Sequence, residues 1–460
     1  MPTINVGASS RFAVRSCVQA ILQGAYHPRD PKTSDFYACV EDNFEELEQV
    51  YDEKYQKQHG FWRPVIHEVI YKYLDCGDLH QGFARVCCSA CRLEFLLPFS
   101  CKGRYFCPSC HQKRVIAFAE RVETQLLEKV PQSQYVVTIP KMLRVYFKHD
   151  RKLLGLLSQC FYASLQEFFR EASGDHDAIP GVILSIQTYG RDPVSFHPHL
   201  HCLASDGCFS RDGSFQPIFW VDTEKMMRLF RHKLFHALLA KEIITTRIVE
   251  LLLSWRHPGF SVFRGEPVEP HDRAARERLV RYLLHPAFAL DRLHYDPDTA
   301  TATYHPAKGS DQDGKSDSPT ISSALDWLAA VVTHIPDKGQ QLLRYYGHYS
   351  NVRQAEKKRA AEAAQGLQTT AQAPEQDDEF RKQCRRNWAR LIKKIYEVDP
   401  LICPRCRGLM PIISFIEDPP VIKKILLHLH LWEVPKRSPP AKTPPRNFFY
   451  DPDIFGGLTS

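Results

Sequence analysis

No apolar run of about 18 residues occurs, so no helical membrane span is expected. Met1 to Tyr26 lacks a basic segment followed by an apolar stretch and a small-residue cleavage site, so no signal peptide is expected. A cytoplasmic protein follows from these two absences. The phosphate-binding pattern Gly-x-x-x-x-Gly-Lys-Ser/Thr is missing, which excludes a nucleotide-driven motor of that type. There are no internal repeats.

What is present is an ordinary globular composition: 460 residues, 43% hydrophobic and 25% charged, long enough for two or three domains. The net charge of +7 is unevenly spread. Residues 379–460 hold 15 Lys/Arg against 8 Asp/Glu, and residues 61–115 hold 8 against 4, while the first sixty lean acidic. The basic stretches coincide with cysteine clusters, which points to DNA contact. Six of the fifteen cysteines form three Cys-x-x-Cys pairs, a metal-ligand spacing rather than a disulfide framework.

Along the chain, 1–60 reads as a helical lead-in, 61–130 as a zinc-binding domain, and 131–364 as a catalytic domain. A linker is expected at 365–378, a basic C-terminal region with a Cys pair at 379–435, and a Pro-rich tail at 436–460. QYVVTIP, GVILSIQTYG, HPHLHCLASDG, GFSVFRGEP and TATATYHP read as strands. DRKLLGLLSQCFYASLQEFFREA reads as a long amphipathic helix, and 305–320 as a loop. Strands and helices in mixed order predict an α+β fold.

FHPHLHCLASDG carries the central chemical signal. Side chains alternate faces along a strand, so His199 and His201 share one face while Leu200, Cys202 and Ala204 share the other. In VILSIQTY the polar face holds Gln187. If the two strands pair antiparallel, Gln187 adjoins the histidines. Two imidazoles and an oxygen ligand suit Mg²⁺ or Mn²⁺ and leave positions for phosphate oxygens.

QQLLRYYGHYSNVRQAEKKR is expected to be a helix on which Tyr345 and Tyr349 are neighbours and Tyr346 is turned away. A phenol beside a metal-polarised phosphate is a nucleophile. Arg344, His348 and Arg353 are candidate phosphate contacts. The competing reading of these residues is an aromatic stripe packed in a core.

Cys88-Ser-Ala-Cys91 and Cys107-Pro-Ser-Cys110 are separated by fifteen residues, the spacing of a four-cysteine zinc ribbon. Cys76, Cys87, Cys101 and His111 are nearby substitutes or ligands of a second ion. Lys102, Arg104, Lys113 and Arg114 flank the second pair and are placed to meet DNA phosphates. Cys403-Pro-Arg-Cys406 has no evident second pair, with Cys384, His428 and His430 available.

HPHLHCLASDG, THIPDKGQQLLRYYGHYSN, PKMLRVYFKHDRKLLG, HPGFSVFRGEP and SCKGRYFCPSCHQKR occur in one order over roughly residues 60 to 430. Together they resemble the rolling-circle insertion-sequence transposases of the HUH class, where His–apolar–His is here His199, Leu200, His201. The resemblance implies an HUH-endonuclease-like antiparallel sheet core with flanking helices and a small N-terminal zinc-ribbon-like module. It implies nicking and rejoining of single-stranded DNA at element ends through a 5′-phosphotyrosine. Tyr345 would be the first nucleophile and Tyr349 its partner. His199, His201 and Gln187 would hold Mg²⁺ or Mn²⁺, with Gln354 as the alternative third ligand, and Cys88, Cys91, Cys107 and Cys110 would hold structural Zn²⁺. The implied partners are single-stranded element ends and target DNA in the bacterial nucleoid, with host helicase and replication machinery supplying strand opening. Two other readings follow from the same residues: a non-catalytic zinc-finger DNA-binding protein, and a relaxase or replication initiator with the same chemistry.

Overall fold

Residues 31–103, 105–190, 192–306, 319–364 and 401–432 are described by the structure, a computed structural model; the side chains of 361–364 are not. The described residues divide into two units.

The first unit joins residues 71–103 to 401–432. Its sheet has β1 (Phe83–Cys87) at the centre, antiparallel to β2 (Glu94–Pro98) on one side and to β12 (Ile412–Ile416) on the other. Val86, Leu97, Phe99 and Met410 form its small core. Phe83 packs beside Ile422 and Leu426 of the helix Pro419–His428. This pairing changes the expected domain plan. Residues 71–103, with Cys88 and Cys91, share one unit with the C-terminal region and its Cys pair, because β12 pairs with β1.

The second unit carries the larger sheet, with strands in the order β11 (Leu343–Gly347), β4 (Ile179–Tyr189), β5 (Phe196–Phe209), β3 (Gln132–Thr138), β7 (Ser261–Arg264). All their pairings are antiparallel. The strands expected at 134–140, 181–190, 197–207, 259–267 and 299–306 are each present, and the α+β class holds. The expected loop at 305–320 and the linker and tail lie largely outside the described residues.

Registers fix the two faces. His201 stands opposite Val136 on β3 and Ser185 on β4, and His199 opposite Thr138 and Gln187. The alternate set, Val137, Leu184, Ile186, Leu200 and Cys202, is fully buried. It packs against the long helix Leu153–Ser173, whose Leu154, Leu157, Phe161 and Leu165 lie in the same core. Burying four such side chains contributes on the order of 6–12 kcal/mol before the chain's lost entropy is subtracted. That apolar layer is the rigid platform under the histidines.

No helix among the described residues is long and apolar enough to cross a membrane.

Candidate active site and metal sites

His199 and His201 project from the middle of β5 with their Nε2 atoms 2.9 Å apart. Two ligands at about 2.1 Å from one ion, at a right angle, stand about 3 Å apart. The spacing therefore fits a shared divalent cation. The carbonyl of His197 accepts from His199 Nδ1, 2.8 Å away, which leaves Nε2 without a proton in the neutral ring. The Gln134 amide lies 3.5 Å from His201 Nδ1. With its oxygen turned there it accepts from Nδ1–H and bares the second Nε2.

Both rings are kept neutral. Burial pushes His199 down to about 4, countered in part by the His197 carbonyl and reinforced by the charge of Arg144. Burial, then the His199 charge, pushes His201 down to about 2. Neutral imidazole is the form that ligates metal. Gln187 is buried and stands directly across from His199, and its amide nitrogen gives a long bond of 3.4 Å to the Leu283 carbonyl. It shares the histidines' face of the sheet. Gln354, the alternative ligand, donates to the His348 carbonyl at 3.4 Å.

The tyrosines differ from expectation. Leu343–Gly347 is an edge strand, not a helix, and the helix begins only at Asn351. Tyr345 and Tyr349 therefore do not share a helix face. Tyr345, opposite Ile183, falls on the histidine face and packs against the core. Tyr349 is 0% exposed, and its hydroxyl accepts from Gln132 Nε2 at 2.8 Å. Burial raises its pKa well above the usual tyrosine value, the reverse of activation. Tyr346 lies on the opposite face, stacked on Tyr162 at 4.6 Å, with its hydroxyl 2.9 Å from Ser158 Oγ.

Tyr282 is a tyrosine whose ring meets His201 of the pair. It sits one residue from the end of the helix Arg273–Leu283, with its ring centroid 4.8 Å from that of His201 and edge-on at 86°. It is 45% exposed, so its phenol is open to a substrate. Val280 and Leu283 bury the helix's apolar side and fix Tyr282 towards the strand. Sequence reasoning missed it because RERLVRYLLHP carries a single tyrosine without a paired motif. The only local signal is an aromatic opposite the buried positions of an amphipathic helix.

The predicted DNA contacts scatter. Arg344 is on the face away from the histidines, against Gly155 of the long helix. Arg114 is buried, with its guanidinium 5.8 Å from the Tyr105 ring centroid, so it builds core rather than surface. Lys113 is half-buried and Lys102 exposed, while Arg104 lies outside the described residues.

The zinc set expected from Cys88, Cys91, Cys107 and Cys110 is corrected in the first unit. Cys88 and Cys91 meet Cys403 and Cys406, with Sγ distances of 3.4 Å for Cys88–Cys406 and 3.5 Å for Cys91–Cys403. A tetrahedron with Zn–S bonds of about 2.3 Å requires roughly 3.8 Å, close to these values. The two loops are built alike. Arg92 and Arg407 each follow the second cysteine with φ of 61°. Each donates its N–H to the first cysteine's carbonyl, at 3.1 and 2.9 Å. The Cys91 amide donates to Cys88 Sγ at 3.4 Å, and such amides pull that thiol down to about 6. Thiolates held by N–H groups are the donor set zinc prefers. Cys107 and Cys110 lie in the second unit, where Pro108 opens the helix Pro108–Arg121. His111, offered as an alternative ligand, bonds the Leu284 carbonyl through Nε2 at 2.8 Å.

A family model described as "Transposase zinc-binding domain" matches residues 47–139, and one described as "Putative transposase" matches 181–358. The "Transposase for insertion sequence element IS801" of Pseudomonas savastanoi pv. phaseolicola is 26% identical over 317 residues, 64% of this chain and 72% of the relative. "Putative transposase y4qJ" of Sinorhizobium fredii (strain NBRC 101917 / NGR234) is 28% identical over 192 residues, 39% of this chain and 46% of the relative. No solved structure matches. With both domains in this order on one chain, and the insertion-sequence relative aligned along most of its length, the chain belongs to the IS91 family of rolling-circle insertion-sequence transposases, its zinc-binding domain N-terminal.

Proposed function

We propose that this transposase nicks and rejoins single-stranded DNA through a 5′-phosphotyrosine formed on Tyr282, at a divalent-metal site held by His199, His201 and Gln187. The observation that carries the reading is the contact of an accessible tyrosine with His201, one of a neutral histidine pair of ligand spacing. Mg²⁺ or Mn²⁺ bound there would neutralise charge on the scissile phosphate and leave positions for its oxygens.

The chain's own residues do the rest. The Tyr282 oxygen attacks phosphorus, the bond from phosphorus to the 3′ oxygen breaks, and the phenolic proton is transferred to that oxygen to give a free 3′-OH. The phosphotyrosine keeps the phosphodiester energy, so the reverse attack by a 3′-OH joins strands without a nucleotide cofactor. Hydrolysis would discard that energy to water. The antiparallel sheet with two histidines on its central strand supports an HUH-type core. In the first unit, Cys88, Cys91, Cys403 and Cys406 would hold a structural Zn²⁺.

Oligonucleotides carrying the ends of the encoding element, incubated with the full chain and Mg²⁺, test the reading on denaturing gels. Wild type forms a covalent protein–DNA adduct, and Tyr282→Phe, which removes one oxygen, abolishes it. Tyr345→Phe and Tyr349→Phe keep it. An adduct that survives Tyr282→Phe and vanishes with Tyr345→Phe moves the nucleophile to the edge strand.

A further inference from the structure

We infer that the open half of the catalytic sheet is a single-stranded DNA track, with Phe263 as the stacking platform for a base beside the scissile phosphate. The inference rests on the proposed function for the position of that phosphate. His201 pairs with Val136, and Val136 pairs with Phe263, so the three side chains form one row on one face. Strands lie about 4.8 Å apart, which puts the Phe263 backbone about 10 Å from that of His201. Adjacent nucleotides in an extended single strand are spaced to bridge that gap within two steps.

Phe263 is 61% exposed, although its neighbour Val262 is buried in the core. Single exposed apolar side chains are ordinary on protein surfaces, so the weight rests on the position of Phe263, in the row of His201. The surface between Phe263 and the histidines suits a nucleotide. Val136 is half-buried, and Thr138 and Ser261 present hydroxyls 2.7 Å apart in the row of His199. Charge complements the polyanion at the other end. Arg144 lies on the helix Lys141–His149, which packs against β5, the strand of the histidines. Its Nε makes one long bond of 3.4 Å to the Ile139 carbonyl, and no carboxylate pairs with it among the described residues. An arginine without an acid partner is available to a phosphate. Duplex DNA cannot use an aromatic platform, because its bases are stacked on one another. The row therefore selects single strands.

Fluorescence anisotropy on the full chain, at fixed salt, tests this with oligo-dT of about 20 nucleotides and a dT·dA duplex of the same length. Phe263→Ala is expected to weaken single-strand binding about 5- to 150-fold, the worth of one base–aromatic stack, and to leave duplex binding within about twofold. Phe263→Trp keeps single-strand binding. Arg144→Gln lowers the salt slope by about 0.7 and leaves the single-strand preference intact. Single-strand binding unchanged by Phe263→Ala, an equal loss for both DNAs, or a loss with Phe263→Trp as large as with Phe263→Ala would each overturn the platform. These ratios need no cleavage. If adduct formation proves independent of Tyr282, the nucleophile assignment fails while the binding result stands by itself.

Discussion

At the level of single residues, the fit of Tyr349 depends on one missing atom. A Cβ on Gly181 would lie 2.6 Å from Tyr349 Cε2, well inside contact distance. Tyr349 cannot retreat, because it is fully buried and held by Gln132. Gly181→Ala should therefore destabilise the second unit by about 1–3 kcal/mol, as overpacked cores do. Adding Tyr349→Leu to that variant should restore part of the loss. Urea denaturation of the two single variants and the double variant measures the coupling. Additive effects would mean that the two residues do not meet. Under the proposed function, the same packing gives Tyr349, chosen from sequence spacing, a structural part. Chemistry needs an exposed phenol beside the histidines, and burial is not legible in a local motif. Tyr282 acquires its place only when a helix some eighty residues after the histidines folds back onto their strand.

Among the elements, the histidine strand was legible and the tyrosine segment was not. Alternation of apolar and polar residues placed His199 and His201 on one face and Gln187 beside them, and the register agrees. RYYGHYS gave a helical spacing of tyrosines, yet Gly347 has φ of +60°, and a Cβ there would sit 1.9 Å from the Pro180 carbonyl oxygen. That left-handed turn ends a strand, and aromatic residues favour strands, so edge pairing with β4 prevails over helical periodicity. A buried histidine fastens the end of the helix Ala324–Val332 in the same unit. His334 Nε2 donates to the Pro193 carbonyl at 2.6 Å, and its Nδ1 accepts from Thr188 Oγ1 at 3.0 Å. Burial pushes it down to about 3. A folded pKa below the unfolded value of about 6.5 means that the unfolded chain binds the proton first. Stability from this ring is present above pH about 6.5 and is lost as pH falls towards the folded pKa. His199 and His201, also lowered, act in the same direction. The unfolding free energy from urea titrations should fall between pH 7 and 5, by up to about 1.4 kcal/mol per pH unit for each ring. His334→Gln should flatten that slope; an unchanged slope would show that this ring is not the acid-sensitive group.

On the scale of the whole molecule, the first unit is the part most exposed to metal loss. Its three-stranded sheet brings together cysteines 312 and 318 positions apart in sequence. Each Cys-x-x-Cys pair was legible alone, but the choice of partner was not, since proximity in sequence favoured Cys107 and Cys110. The partner is set by β12 pairing with β1, a long-range event without a local signal. So small a core is marginal without a metal staple. Zinc binding there is then largely folding free energy. Replacing Cys403 and Cys406 together by serine should remove about one zinc per chain. It should also open 401–432 to limited proteolysis, because the strand it carries loses its anchor. The sheet that holds His199 and His201 has its own core and draws no strand from that region. Its main thermal transition should therefore stay within a few degrees of wild type, at about 2–4 °C per kcal/mol for a unit of this size. Proteolysis that is indifferent to the double substitution, at unchanged zinc content, would remove these thiols from the metal site.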